Sequence, residues 1–250
     1  MPAPVLVYVF PVHNEEATLA PKTERIVAYL AQFPGSEIFL VENGSADASW
    51  DECRSLEREE PVPVRAFREP AAGIGYAYNR GLTEALARFG PSPDHWAVLT
   101  AADLPFGTSD VDAARELLAD PGPTRMIMGS KAHPESRTIA TLSRKVTTQV
   151  YRSGRRIVLG MRVGDSQGSM LIRLDLAAEI VDAVETRGFF YSTEFCHRVE
   201  CAGDVIREVP IVVEPEVRPS TVRPIKHGSE MALQMWELRR KTGSARHKRK

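Results

Sequence analysis

A repeated alternation in the first half of the chain does most to limit how it can fold. Short, nearly continuous apolar runs at residues 5–10, 37–41, 62–67, 96–100 and 125–129 are separated by longer amphipathic segments. The runs are rich in Val, Ile and Phe and bounded by Gly, Pro, Asn or Asp, which is strand patterning. A strand that is apolar at successive positions has no face to give to water. Such runs therefore predict an α/β fold with a mostly parallel, Rossmann-like sheet and helices on both faces. The helices are visible as well. Ile26, Leu30 and Phe33 recur at helical spacing, and Leu82, Leu86 and Phe89 mark one side of a helix over residues 76–89. Ser109 and Asp112 ahead of Ala-Ala-Arg-Glu-Leu-Leu predict a capping box.

The second half is patterned differently. Residues 139–160 read as one long helix, with Arg144, Lys145, Arg152, Arg155 and Arg156 among Leu142, Val146, Val150, Ile157 and Leu159. A strand at 169–173, helices at 174–184 and 193–202, and a β run at 205–213 follow. Residues 228–241 form an amphipathic segment (Met231, Met235, Leu238) leading into Arg239-Arg240-Lys241 and the tail His247-Lys248-Arg249-Lys250. No internal repeat or long Gly/Ser linker divides the chain. The expected organisation is a single domain over 1–220, with 221–250 as a C-terminal amphipathic helix and basic tail. That tail is either a solvated terminus or an attraction for anionic lipid headgroups beside the Met231/Met235/Leu238 face.

Composition removes several classes of function. At 250 residues and 43% hydrophobic, the chain can bury a core without disulfides. With 32 Lys+Arg against 33 Asp+Glu, it lacks the basic excess of a general nucleic-acid binder. Cys53, Cys196 and Cys201 include no C-x-x-C pair, which fits a reducing cytoplasm and argues against structural zinc. No run approaches the roughly 18 apolar residues of a spanning helix, so the expectation is a cytoplasmic protein, at most peripheral to a membrane.

Ligands of open parallel sheets bind outside the carboxyl ends of the strands. Four such ends carry polar or Gly-rich residues: Pro11–Glu16, Glu42–Asp47, Glu69–Gly75 and Ala101–Pro105. One could be ordinary turn chemistry, but four in register point to a binding edge. Glu42 and Asn43 offer in-plane hydrogen bonds to a nucleobase. Gly73-x-Gly75 allows close backbone approach at a helix start that favours anions, although the stretch is not a full G-x-G-x-x-G. Asp103 stands where a hard cation on a diphosphate needs an oxygen ligand. A dehydrogenase needs G-x-G-x-x-G after the first strand, and a nucleotidyltransferase a Gly-rich basic signature there. Pro11–Glu16 is neither.

The order of these motifs resembles the inverting family 2 glycosyltransferases of GT-A fold, and within them the dolichyl- or polyprenyl-phosphate hexosyltransferases. The resemblance runs over about residues 5–215. Phe10-Pro11-Val12-His13-Asn14-Glu15-Glu16 stands for P-x-x-N-E, and Val41-Glu42-Asn43-Gly44-Ser45-Ala46-Asp47 for V-D-D-G-S-x-D. Ala101-Ala102-Asp103-Leu104 stands for D-A-D-L, Gly129-Ser130-Lys131 for G-S-R, and Gly164-Asp165-Ser166-Gln167-Gly168-Ser169 for D-T-Q-C-G-F. Phe190–Glu194 and Arg207–Ile211 match F-x-x-E and E-V-P-V.

The resemblance implies transfer of a hexosyl unit from a nucleotide diphospho-sugar, a UDP-sugar, with inversion. The acceptor is either a soluble metabolite or a polyprenyl phosphate. It places the donor at Pro11, Asn14, Glu15, Glu42, Asn43, Gly73, Gly75, Ala102 and Asp103. Asp165 lies near the acceptor as general base, Gln167 supports its loop, and Glu194 is the second carboxylate or an ordinary first-turn acid. Lys131 and Arg137 neutralise the donor diphosphate or an acceptor phosphate, or are plain surface cations. Two departures stand out. Ala101 replaces the first metal-site Asp, which leaves Asp103 as the metal ligand and implies weak dependence on Mg2+ or Mn2+. The Gly-rich loop has Ile74 where many members have Lys. A non-catalytic nucleotide-sugar-binding protein is the alternative, and a homodimer is left open. His13 is expected as a packing variant, Cys196/His197/Cys201 as no metal site, and Met126, Met128 and Met170 as core.

Overall fold

A computed structural model describes residues 4–101, 103–138, 142–214 and 224–247. Its first half alternates β1 (Val5–Val12), α1 (Leu19–Leu30), β2 (Glu37–Asn43), α2 (Ser49–Ser55), β3 (Val64–Glu69), α3 (Ile74–Phe89), β4 (His95–Leu99), α4 (Ser109–Ala119) and β5 (Met126–Gly129). Then come α5 (Leu142–Leu159), β6 (Met170–Arg173), α6 (Leu174–Ile180), α7 (Tyr191–Ala202), β7 (Ile206–Val209) and α8 (Pro224–His247). The strands form one sheet in the order β3-β2-β1-β4-β6-β5-β7. All neighbours are parallel except β6, which runs antiparallel to both β4 and β5.

The continuous apolar runs have a direct explanation. Leu6, Tyr8 and Phe10 of β1 join Ile38, Leu40, Trp96 and Val98 in one core layer beneath α1 and α4. Val7 and Val9 alternate with them into a second layer, with Phe39, Val41, Leu99, α3, α6 and α7. Side chains alternate across a strand, so a strand buried on both faces must be apolar at every position. Met126, Met128 and Met170 are buried in the second layer, as the patterning predicts.

Tertiary contacts correct three sequence expectations. Ser109 does not cap α4, because its hydroxyl donates to Phe106 O and accepts from Val212 N, joining two distant turns. The Met235/Leu238 side of α8 does not face outward; it packs with Phe190, Tyr151, Val158 and Leu159. His13 is exposed rather than packed, with Nδ1 2.9 Å from Asn43 O. Among the described residues, no group of three or more His, Cys, Asp or Glu side chains could hold a metal. No described helix is long and apolar enough to cross a membrane.

Asp110, in the first turn of α4, is fully buried, and that burial pushes its carboxyl up to about 6. Asp112 adds repulsion, and the Val111 N–H, 2.8 Å away, only partly offsets the cost. A carboxyl that holds its proton more tightly when folded loses stability as pH rises from its ordinary value, 3.8, through about 6. Asp110→Asn removes that penalty. The variant should match the parent near pH 4 and exceed it by on the order of 2–3 kcal/mol at pH 7. Urea unfolding of both proteins across this window checks it. A gap that does not change with pH counts against Asp110 as the origin.

Candidate active site at the carboxyl edge of the sheet

Strands β1 to β4 point the same way, so the loops after them leave the sheet along one edge. Pairing of Val12 with Glu42 and of Asn43 with Glu69 keeps these exits level. Because β6 runs the other way, the segment preceding it reaches this edge. Met170 pairs with Leu99 on one side and Met128 on the other, which sets residues 164–169 beside the ends of β4 and β5. One antiparallel strand thus brings the Asp165 loop to the same edge as the loops after β1 to β4.

The loops after β1 and β2 are laced together. Asn14, with φ 56°, accepts from Ala46 N at 2.9 Å, and its own N–H donates to Ser45 Oγ. Glu15 N donates to Ser49 Oγ, and the Glu16 carboxylate accepts from Ala48 N. Pro11 contributes buried strand backbone beside Val41. Glu42, expected at the edge of a base, is 2% exposed. Its carboxylate accepts from Ser45 N at 2.6 Å and pairs with Arg68 at 3.4 Å, so it holds the turn rather than offering a free edge. Asn43 is equally buried, and its Oδ1 has no hydrogen-bond partner, an unbalanced acceptor at the strand end.

Gly73 and Gly75 serve a different purpose from the one their spacing implies. The Gly75 N–H donates to Arg187 O at 2.9 Å, and a Cβ there would lie 2.7 Å from the Arg187 backbone. Gly73 has φ 142°, and its Cβ would meet the same carbonyl. The glycines admit a protein segment over the start of α3, and the donor expected for a phosphate is used on it.

Glu194 holds that segment. Its buried carboxylate accepts from Glu185 N, from Thr186 N and Oγ1, and from Arg198. Burial alone would raise its pKa, but the Thr186 and Arg198 bonds outweigh this and hold it below the usual carboxylate range. A carboxylate so engaged is a poor base, and its geometry is that of a positioning residue.

Asp165 is 8% exposed and ties two loops together. Oδ2 accepts from Lys131 N at 3.1 Å and Oδ1 from Gln167 N at 2.9 Å. Lys131 Nζ lies 3.6 Å from Oδ2 and donates to Gln167 O at 3.0 Å. Arg137 and the Gln167 side chain are exposed, and Arg137 N donates to Ile211 O. Sequence reasoning missed the supports of this loop. The Glu208 carboxylate accepts from Gly164 N and Asp165 N, at 2.9 and 3.2 Å. Arg155, read as one cation among several, is 2% exposed and donates to Gly164 O at 3.0 Å. Ser166 Oγ and Tyr151 OH both meet Thr193 Oγ1. The one signal available for Arg155 was its place one turn from Tyr151 and Leu159, on the packed side of an amphipathic helix; nothing local marked Thr193.

Asp103 is exposed just beyond β4, in a turn closed by Leu104 N donating to Ala101 O at 3.0 Å. Ala102 lies outside the described residues. The motif therefore supplies one hard oxygen donor, with a methyl group at 101 where a second would stand. These side chains do not build a metal centre by themselves. An ion here would draw most of its ligands from a diphosphate and water.

A seven-stranded sheet in this order, with the Asp165 loop returned to the carboxyl edge of the parallel strands by one antiparallel strand, defines the GT-A glycosyltransferase architecture. Residues 8–173 match the sequence pattern of glycosyl transferase family 2, and the chain belongs to that family. It is 28% identical over 191 residues to an undecaprenyl-phosphate mannosyltransferase of Micrococcus luteus, covering 75% of this chain and 76% of the relative. Its fold is similar to glucosyl-3-phosphoglycerate synthase of Mycobacterium tuberculosis in complex with UDP, at a TM-score of 0.64 and 18% identity, covering 96% and 80% of the two chains. The complex of that synthase with Mn2+, UDP-glucose and phosphoglyceric acid gives a TM-score of 0.65 at 19% identity, covering 94% and 78%.

Proposed function

We propose that this chain transfers a hexosyl unit, with inversion, from a UDP-sugar to a phosphate-bearing acceptor of the polyprenyl-phosphate type. The observation that carries this is the meeting of the Asp165–Lys131 pair with the donor-side loops at one sheet edge. In this reading the laced loops at Asn14, Glu15 and Asn43 form the uridine side, and Asp103 faces the diphosphate. Lys131 and Arg137 serve the anionic acceptor, with Asp165 and Gln167 shaping the loop between. The names of the relatives support a phosphate on the acceptor, since one includes undecaprenyl phosphate and the other was solved with phosphoglyceric acid. Residues 1–220 act as the catalytic domain and 221–250 as its extension.

Thermal shift with UDP and UDP-hexoses, with and without Mn2+, tests the donor. A bound ligand raises the melting temperature by mass action. Uridine nucleotides should stabilise the protein, and Mn2+ should add little. Ala101→Asp restores a second carboxylate and should make the UDP shift respond to lower Mn2+ concentrations. Identical Mn2+ titrations for the two proteins would count against Asp103 as a ligand. Release of UDP that depends on added polyprenyl phosphate separates an enzyme from a module that only binds nucleotide sugar.

A further inference from the structure

A diphosphate needs positive charge around it, and the donor-side motifs provide little. Asp103 is itself an acid, Ala101 offers no second metal ligand, and Ile74 brings no charge to the start of α3. The helix end does not make up the difference. The Gly75 N–H donates to Arg187 O, and those of Tyr76 and Ala77 both donate to Gly73 O. Three successive N–H groups that would otherwise serve an anion are already engaged.

The segment that takes the Gly75 N–H brings a cation with it. Arg187 is half-buried, and its guanidinium carbon lies 5.9 Å from the centre of the Tyr76 ring in the first turn of α3. Nη1 donates to Val184 O at 2.6 Å and to Thr186 O at 3.3 Å. Among the described residues, Nε and Nη2 have no hydrogen-bond partner and no carboxylate pairs with the group. By contrast, Lys22 of α1, Arg68 of β3 and Arg80 of α3 are held by Glu15, Glu42 and Glu84. Two buried tyrosines connect Arg187 to Asp103. The Tyr78 and Tyr191 rings are 5.9 Å apart. Burial pushes both hydroxyls up; the Asp103 charge adds to this at Tyr78, and the Arg187 charge opposes it at Tyr191. The acid and the guanidinium act on one tyrosine pair.

We propose that Arg187 binds the β-phosphate of the donor and supplies the main positive charge there. The inference rests on the uridine diphosphate donor proposed above. A guanidinium already anchored through Nη1, with Nε and Nη2 to spare, presents the paired donors that a phosphate accepts. During transfer the acceptor oxygen bonds to the anomeric carbon as the bond from that carbon to the β-phosphate oxygen breaks. The electron pair of the broken bond stays on the departing UDP. Arg187 then meets negative charge where it grows, with no proton to gain or lose.

Titration calorimetry of the full chain with UDP and with UMP, in EDTA, tests this without turnover. The parent should bind both nucleotides. Arg187→Gln should weaken UDP binding by tenfold or more, the scale of one charge-assisted hydrogen bond, and UMP binding by less than threefold. Arg187→Lys keeps the charge and should recover part of the UDP affinity. A residue that only braces the turn at Val184 and Thr186 gives equal losses for the two nucleotides. Equal losses, or UDP affinity unchanged in Arg187→Gln, would overturn the proposal while leaving the uridine donor in place. Failure of the parent to bind either nucleotide would overturn that donor, and this inference with it.

Discussion

Gly168→Ala is expected to leave little folded protein at 37 °C. A Cβ on Gly168 would overlap the carbonyl oxygen of Gly129 and lie 2.9 Å from its carbon. Neither strand can easily retreat. Gly129 N donates to Ser169 O at 3.0 Å, and Met128 pairs with Met170 in the adjoining rungs, so separating the backbones breaks the β5–β6 seam. That seam is internal to the sheet, with β4 on one side and β7 on the other, and it also carries the Asp165 loop. Backbone overlap at such a point costs upwards of about 4 kcal/mol, a large share of the roughly 5–15 kcal/mol that holds a domain together. The control is Gly188→Ala, where an added Cβ meets nothing within 4 Å. Its urea midpoint should stay close to the parent's while that of Gly168→Ala collapses. Equal midpoints would mean that the two strands are more loosely joined than their geometry indicates.

The second large effect concerns the chemistry at Asp165 and Lys131. With a phosphate acceptor, the attacking oxygen is already anionic and needs little help from a base. Lys131→Ala should then cost more than Asp165→Asn. A charge-assisted hydrogen bond is worth about 1.5–3 kcal/mol, so kcat/KM for the acceptor should fall by roughly 10- to 150-fold while UDP affinity holds. Asp165→Asn keeps one carbonyl acceptor but turns an amide N–H₂ toward Lys131 N or Gln167 N, both of which now donate to the carboxylate. One backbone donor is left unpaired, which should lower stability by about 1–3 kcal/mol and loosen the loop. The opposite pattern is informative too. If Asp165→Asn reduces turnover by about 10²–10⁴ at unchanged donor affinity and Lys131→Ala is nearly silent, the acceptor is a hydroxyl and Asp165 its base.

The alternation of apolar runs was enough to read the α/β architecture, because a strand buried on both faces leaves the same trace wherever it occurs. Leu6 to Phe10 and Ile38 to Val41 show this directly, each feeding both core layers. Strand ends were legible for the same reason, since polarity returns where a run leaves the sheet. The Asp165 loop was found from its place in a run of ordered motifs. What each polar group does once there was not legible. Gly73 and Gly75 read as a close approach for a phosphate, and the segment they admit is Arg187; Glu194 read as a second carboxylate near the site or a first-turn acid, and it holds the turn at Thr186. Ser109 looked like a cap and joins Phe106 to Val212. Burial follows local periodicity, so the sequence by itself determined the layers and the edge at which the polar strand-end loops gather. Hydrogen-bond partners lie tens of residues apart, as Glu208 does from Asp165 and Tyr151 from Thr193. Only the tertiary structure decided those, because a donor or acceptor carries no local mark of the group that will satisfy it.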